Sequence, residues 1–91
     1  MNGTVLDMKV INIHRLPEGR VKAFVDLVVN DAILIKGVRI IEGKKGFFVS
    51  MPSEQGKDEK WYERVRCLND DIKGLVTEKA LEAYRISRQE V

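Results

Sequence analysis

The sequence predicts an α+β domain in which an antiparallel sheet of four or five strands is followed by a C-terminal helix. Short runs of β-branched and aromatic residues, separated by turn residues, extend to residue 67 and are typical of antiparallel strands joined by hairpins. Residues 37–52 place two such runs around a turn bracketed by glycines, which indicates a central β-hairpin. After residue 69 the apolar residues recur at helical spacing instead.

The composition is that of one ordinary globular domain, and we expect residues 1–91 to form a single unit. Hydrophobic residues make up 44% and charged residues 33% of the chain, a balance typical of globular proteins that argues against intrinsic disorder. No apolar run approaches the ~18 residues of a membrane span, and no signal-peptide pattern opens the chain. We therefore expect a cytoplasmic protein that does not associate with membranes.

The first predicted strand covers residues 4–13, where apolar and polar residues alternate. The alternation changes phase at Ile11, and this change predicts a β-bulge near Val10. The second predicted strand, residues 21–29, is the clearest, and its inward side chains are those of Val21, Ala23, Val25, Leu27 and Val29. Residues 30–31 are Asn and Asp, which predict a tight turn into the next strand.

The central hairpin is the most explicit part of the sequence. Gly37 predicts a bulge at its start, and Gly43 and Gly46 can adopt the positive φ that a tight turn needs. Pro52 cannot donate a ladder hydrogen bond, so the second strand should end there. Both strands carry apolar side chains on both faces, so we expect one face on the core and part of the other under a helix or a second subunit. The hairpin residues predicted to pack in the core or in a dimer interface are Phe47, Phe48 and Val49.

The segment after the central hairpin is predicted to be a flexible polar loop over residues 53–60, then a last strand or extended segment over residues 61–67. One of Trp61 and Tyr62 should be buried and the other partly exposed. The exposed ring would lie beside basic residues, where a base of a single-stranded nucleic acid could stack on it. The basic residues predicted to contact nucleic acid are Lys57, Lys60, Arg64 and Arg66.

The C-terminal segment is predicted to be a helix capped by Asn69 or Asp70. Its apolar stripe comprises Ile72, Leu75, Val76, Ala80, Ala83 and Ile86. We expect Leu75 to pack against the sheet or at a dimer interface, whereas Leu81 lies almost opposite the stripe.

Residues with catalytic or metal-binding potential have simpler explanations. His14 is the lone histidine and Cys67 the lone cysteine, so the sequence indicates no metal site and no catalytic pair. Residues 43–46 lack the following helix with Lys-Ser/Thr that a phosphate-binding loop requires. Residues 70–71, a pair of aspartates, fit helix capping. We therefore expect neither a cofactor nor an enzymatic activity.

The central motif resembles that of a known family. Residues 39–53 read RIIEG, KK, GFFVSMPS and match without a gap the signature RVIDG..GLFVAMPS of the stage V sporulation protein G (SpoVG) family. Residues 18–23, EGRVKA, resemble that family's EGRMRA, and residues 80–84, ALEAY, lie where its helix carries AVLNEY. The resemblance implies a small α+β domain that forms a homodimer. It also implies a bacterial regulator of sporulation, septation, cell division or gene expression that binds DNA or RNA.

One difference from the family affects the predicted function. Family members that bind DNA typically have Lys-Arg directly after Met-Pro-Ser, whereas this chain has Glu54 and Gln55. Residues 54–60 consequently carry no net positive charge. An alternative is therefore a dimeric protein-interaction module with little affinity for nucleic acid, whose protein partner the sequence does not identify.

Overall fold

The structure is a computed structural model, and it describes residues 6–89. The elements follow one another as β1 (Met8–Arg15), β2 (Val21–Val29), β3 (Ile33–Gly43), β4 (Gly46–Ser50), β5 (Ser53–Gln55), β6 (Trp61–Glu63) and α1 (Asp70–Gln89). Strands β1 to β4 form one antiparallel sheet in chain order, here called the main sheet, and β5 pairs with β6 in a second small sheet. The predicted α+β architecture with a C-terminal helix is confirmed. Thr4 and Val5 of the first predicted strand lie outside the described residues.

The core lies between one face of the main sheet, here called the inner face, and α1. Its buried side chains are Met8, Ala23, Val25, Leu27, Val38, Ile40, Val76 and Ala80. The central strand β2 contributes three of them at alternate positions, as predicted, while Val21 and Val29 at its ends are half-buried. Burying a valine, leucine or isoleucine side chain fully contributes about 1.5–3 kcal/mol to the stability of the fold. These buried side chains therefore stabilise the domain more than any surface feature.

Both predicted bulges are present. The pairing of β1 with β2 shifts register between Val10 and Asn12. The pairing of β2 with β3 shifts again opposite Gly37, whose φ is 86° and whose N–H donates to Asp26 Oδ1 at 3.2 Å. A residue with a side chain would be strained at this φ, so the glycine allows the bend that the bulge requires.

The two tight turns of the main sheet use different chemistry. Asn30 and Asp31 connect β2 to β3 with φ of 53° and 52°, which these short polar residues tolerate. In the turn from β3 to β4, Gly46 has a φ of 126°. Gly43 instead leaves room for a ring, because a Cβ there would lie 3.0 Å from Phe48 Cε1.

The hairpin of β3 and β4 is apolar on both faces, and α1 covers the inner face. Val49 is half-buried and packs against the core. Phe47 and Phe48 remain 39% and 48% exposed, and the Phe47 ring makes an edge contact with Tyr84 of α1 at 5.6 Å between centroids. Neither phenylalanine belongs to the core of the single chain, and their packing in a dimer stays a prediction.

The segment from Ser53 to Cys67 differs from its prediction. The expected flexible loop contains β5, and the expected strand over residues 61–67 ends at Glu63. Trp61 is 60% and Tyr62 44% exposed, so the prediction that one of them is buried is wrong. Alternation buries a ring only where one face of the strand is covered, and this two-stranded ribbon leaves both rings exposed.

Helix α1 begins as predicted and buries a wider arc than predicted. Asn69 is its cap, because its Oδ1 accepts hydrogen bonds from the N–H groups of Asp71 at 2.7 Å and Ile72 at 3.3 Å. Of the predicted stripe, Val76 and Ala80 are buried, Ile72, Leu75 and Ala83 are half-buried, and Ile86 is 47% exposed. Leu81, expected opposite the stripe, packs against the core.

The position of α1 explains the burial of Leu81. The helix contacts β1 and β4, the two edge strands of the main sheet, so side chains on both flanks of its stripe reach the protein. The charged positions along α1 also give it the character of a surface helix.

Among residues 6–89 there is no helix whose length and apolar content would let it cross a membrane.

Candidate nucleic-acid interface

The predicted basic residues lie on one structural unit, residues 53–66, which we call the polar hairpin. Its strands pair Ser53 with Glu63 and Gln55 with Trp61. The turn between them is closed by the N–H of Gly56, which donates to the carbonyl of Lys60 at 2.8 Å. Beyond β6, the N–H of Arg64 donates to the carbonyl of Pro52 at 2.9 Å and continues the pairing of the two chain segments.

The structure brings the four predicted basic residues together and divides them into two classes. Lys57 and Lys60 are exposed at the turn, and no carboxylate of the described residues lies within ion-pair distance of either. Arg64 Nη2 lies 3.2 Å from Glu54 Oε2, and Arg66 Nη2 lies 2.7 Å from Glu63 Oε1. These pairs are exposed and contribute only about 0–1 kcal/mol each, so a phosphate group can replace the carboxylate partner.

A hydrogen-bond network around Asp58 orders the turn. The Tyr62 hydroxyl donates to Asp58 Oδ2, and the Lys60 N–H donates to Asp58 Oδ1 at 3.1 Å. Both bonds lower the pKa of Asp58, and the bond from the Tyr62 hydroxyl has the larger effect. The same bond raises the pKa of Tyr62. Gly56 lies under the Tyr62 ring, where a Cβ would be 2.8 Å from Cε2. The network therefore fixes a carboxylate in the same turn that carries Lys57 and Lys60.

Arg39 of β3 joins the polar hairpin to the main sheet, and the sequence did not place it at the site. Its guanidinium carbon lies 5.2 Å from the centroid of the Trp61 ring, and its Nη2 donates to the Ser53 carbonyl at 3.1 Å. Such a cation–π contact contributes about 0.5–1 kcal/mol at an exposed position. The only signal in the sequence was a charged residue between the apolar Val38 and Ile40.

The arrangement combines the two kinds of group that hold single-stranded nucleic acids. Cations are available to phosphates at Lys57 and Lys60, and an exposed indole ring with an arginine on one side is available to a base. The ion pairs of Arg64 and Arg66 reduce the positive charge of the same surface. The polar hairpin is therefore of mixed charge, with only a modest positive excess available to an anion.

Comparisons with known proteins agree with the motif at the centre of the chain. The sequence model of the SpoVG family matches residues 3–86. A protein of Bdellovibrio bacteriovorus is 30% identical over 79 residues, which cover 85% of this chain and 73% of that protein. A protein of Symbiobacterium thermophilum is 34% identical over 80 residues, which cover 85% of this chain but only 57% of that protein. A protein of Agathobacter rectalis is 25% identical over 87 residues, 96% of this chain and 98% of that protein.

All three relatives carry the name "Putative septation protein SpoVG". The family match spans nearly the whole chain, from before β1 into the last turns of α1. Because the family model covers residues 3–86 and relatives of that name are 30% or more identical over 85% of the chain, the chain belongs to the SpoVG family.

Proposed function

We propose that the protein is a bacterial regulator without enzymatic activity that binds DNA or RNA as a homodimer in the cytoplasm. The observation that carries this proposal is the exposed Trp61 ring, held against Arg39. The same polar hairpin carries Lys57 and Lys60, neither of which has an ion-pair partner among residues 6–89. The names of the relatives point to septation as the process concerned. Control of sporulation, cell division and gene expression is the wider role proposed for the same activity.

The proposed binding depends mainly on electrostatic attraction to phosphates. Lys57 and Lys60 contact phosphates, and Arg64 and Arg66 exchange their exposed carboxylates for phosphates when a strand is present. Trp61 stacks on a base. Because phosphate contacts position a protein without reading sequence, we expect weak, sequence-tolerant binding that falls steeply with salt.

The proposed homodimer is supported by strand edges and apolar side chains that remain exposed in the single chain. Strands β1 and β4 are the edges of the main sheet in the described chain, and open edges can pair with another copy. Apolar side chains are also exposed, above all Leu68 at 92%, beside an apolar cavity of about 350 Å³. Two-fold association would bring two polar hairpins into one assembly and would double the number of available cations.

A second candidate function is a dimeric protein-interaction module with little affinity for nucleic acid. It is favoured by the pairing of Glu54 with Arg64, at the position where family members that bind DNA have a basic residue. That carboxylate neutralises an arginine that would otherwise face a phosphate. The two candidates differ in one measurable property, the affinity for nucleic acid at low salt.

The test is a titration with labelled single- and double-stranded DNA and RNA at low and moderate salt. Lys57→Ala/Lys60→Ala should weaken binding, and should lower the slope of log affinity against log salt by roughly 0.7 to 0.9 per lost phosphate contact. Lys73→Ala/Lys79→Ala removes the same charge from the exposed face of α1 and is the matched control. It should leave that slope unchanged.

A second pair of variants separates the two candidates. Arg64→Ala/Arg66→Ala should weaken binding, and Glu54→Lys/Gln55→Arg should strengthen it by releasing Arg64 and adding positive charge. If the wild-type protein binds none of the four nucleic acids at low salt while Glu54→Lys/Gln55→Arg does, this chain has lost the binding function. The interaction module is then the better description.

A further inference from the structure

The outer face of the main sheet, opposite α1, carries a row of planar side chains. Cα pairing places His14 opposite Phe24, Phe24 opposite Arg39, and Arg39 opposite Ser50, so these residues form one row across all four strands. Directly opposite residues of antiparallel strands share a face. The neighbours of Phe24 and Arg39 along their strands are Ala23, Val25, Val38 and Ile40, which are fully buried on the inner face. The row therefore lies on the outer face.

The row continues into the polar hairpin. Arg39 lies over the Trp61 ring and is the Cα partner of Phe24, so it has one aromatic residue in the polar hairpin and another on the neighbouring strand. Neighbouring strands are about 4.8 Å apart, so such a series offers successive planar surfaces over distances comparable to those between neighbouring bases. Phe24 is half-buried, and Phe48, which is 48% exposed, adds a third ring on the same face because it pairs with Ile41 of β3.

The outer face carries both a carboxylate, Asp26, and a guanidinium, Arg39. The carboxylate of Asp26 accepts hydrogen bonds from the Gly37 N–H at 3.2 Å and from Asn12 Nδ2 at 3.3 Å, so its oxygens are already engaged. Arg39 has no carboxylate within ion-pair distance among residues 6–89. Its guanidinium contacts a ring and a carbonyl instead, and its charge is therefore left for a phosphate.

We infer that the outer face of the main sheet, along Phe24, Arg39 and Trp61, is a stacking platform for the bases of a single-stranded nucleic acid. The inference rests on the proposed function and names its substrate class. Rings and guanidinium planes stack on unpaired bases, whereas the bases of a duplex are already stacked on one another. A duplex can reach the phosphate-binding lysines of the polar hairpin but gains nothing from the platform, so the protein prefers single strands.

The experiment uses Trp61, the only tryptophan of the chain, as a fluorescent probe. Single-stranded oligothymidylate and oligouridylate are titrated into the full chain, with a DNA duplex of equal length for comparison. Single strands should quench the Trp61 emission and bind more tightly than the duplex. Phe24→Leu, which removes the ring and keeps an apolar side chain, should weaken single-strand binding roughly 5- to 100-fold and leave duplex binding unchanged.

Phe47→Leu is the control, because it removes a phenylalanine ring that lies on the inner face of the same sheet, against Tyr84 of α1. It should leave both affinities unchanged. Arg39→Gln should reduce both the quenching and the single-strand affinity. Circular dichroism of each variant shows whether the fold is retained, and a variant that fails to fold is replaced by Phe24→Met.

Three results would overturn the inference. If Phe24→Leu leaves single-strand binding intact while Lys57→Ala/Lys60→Ala weakens it, the platform is wrong and the proposed function stands. If Phe24→Leu instead lowers the mass measured by light scattering, the outer face is an interface between two copies of the chain. If no nucleic acid binds at low salt, the platform and the proposed function both fail.

Discussion

At the scale of single residues, the bond between Tyr62 and Asp58 makes the polar hairpin sensitive to pH at both extremes. The hydroxyl stabilises the charged carboxylate and so lowers the pKa of Asp58, while the carboxylate stabilises the neutral phenol and so raises the pKa of Tyr62. Both groups are exposed to solvent, so their effect should be confined to the order of the turn. It should not change the stability of the whole domain.

The direction of the pH dependence follows from these shifts. Because the folded pKa of Asp58 lies below its ordinary value of 3.8, its contribution is complete above that pH and is lost as the pH falls through the folded pKa. Because the folded pKa of Tyr62 lies above 10.0, its contribution is complete below that pH and is lost as the pH rises further. The turn should therefore be ordered between these limits.

Tyr62→Phe tests this description. The Asp58 carboxyl resonance, followed by NMR from pH 2 to pH 6, should titrate at a higher pH in the variant than in the wild type, because the largest cause of the lowered pKa is gone. Lys60→Ala keeps its backbone N–H and is the control, with little expected change. Equal midpoints in Tyr62→Phe and the wild type would show that the hydroxyl bond is absent in solution.

At the scale of elements, α1 shows how far a helical stripe predicts burial. Val76 and Ala80 at the centre of the stripe are buried, but Ile86 is exposed and Leu81 packs against the core. The stripe is calculated from the helix alone, whereas burial depends on which strands the helix crosses. Because α1 contacts both edge strands of the main sheet, its buried arc is wider than a stripe facing one surface.

Leu75→Ala measures the burial of the helix face. Leu75 is half-buried, so we expect a loss of about 1–2 kcal/mol in the free energy of unfolding, below the ~2–5 kcal/mol of a fully buried leucine. Ile86→Ala, at an exposed position of the same helix, should change stability by no more than about 0.5 kcal/mol. Urea unfolding followed by circular dichroism gives both values, and equal losses would place the wrong face of α1 on the sheet.

The polar hairpin shows why a short element can be missed. Residues Ser53 to Gln55 are polar and carry no apolar alternation, so they were expected to be a loop. Their strand is formed by backbone hydrogen bonds and by pairing with β6, which side-chain patterns do not report. Because neither face of this two-stranded ribbon is fully covered, Trp61 and Tyr62 are both exposed.

At the scale of the whole molecule, α1 covers one face of the main sheet, the other face is covered only in part, and β1 and β4 are the edges of the sheet in the described chain. The inner face packs on α1, while Phe48 and Leu34 remain about half exposed on the strands of the main sheet. A domain of this size buries only a small hydrophobic core, and association with a second copy would bury more apolar surface. This consideration is independent of the family to which the chain belongs.

Light scattering at micromolar concentration tests the proposed homodimer. We expect twice the chain mass of 10.4 kDa, because open strand edges and exposed apolar side chains favour two-fold association. A dilution series should show dissociation at lower concentration, and added salt should change it little if apolar contacts dominate. A mass of one chain throughout the series would contradict the homodimer.

The features that were predictable from the sequence are those set by residues close together in the chain. Alternation in β2, the glycines of the central hairpin and the cap at Asn69 each depend on local backbone geometry, so they have a local signature. The family was predictable for a similar reason, because its motif is a continuous run of residues. The four basic residues of the polar hairpin were also named from the sequence, and their contact with nucleic acid stays a prediction.

Only the tertiary structure decides which of those basic residues have an ion-pair partner among residues 6–89 and which groups they contact. The pairs of Arg64 with Glu54 and Arg66 with Glu63, and the contact of Arg39 with Trp61, depend on distances through space. Those distances are set by strand register and by where the polar hairpin lies against the main sheet. Coulomb attraction and stacking act over a few ångströms between segments that the sequence does not place together, so the charge pattern alone cannot show which surface binds.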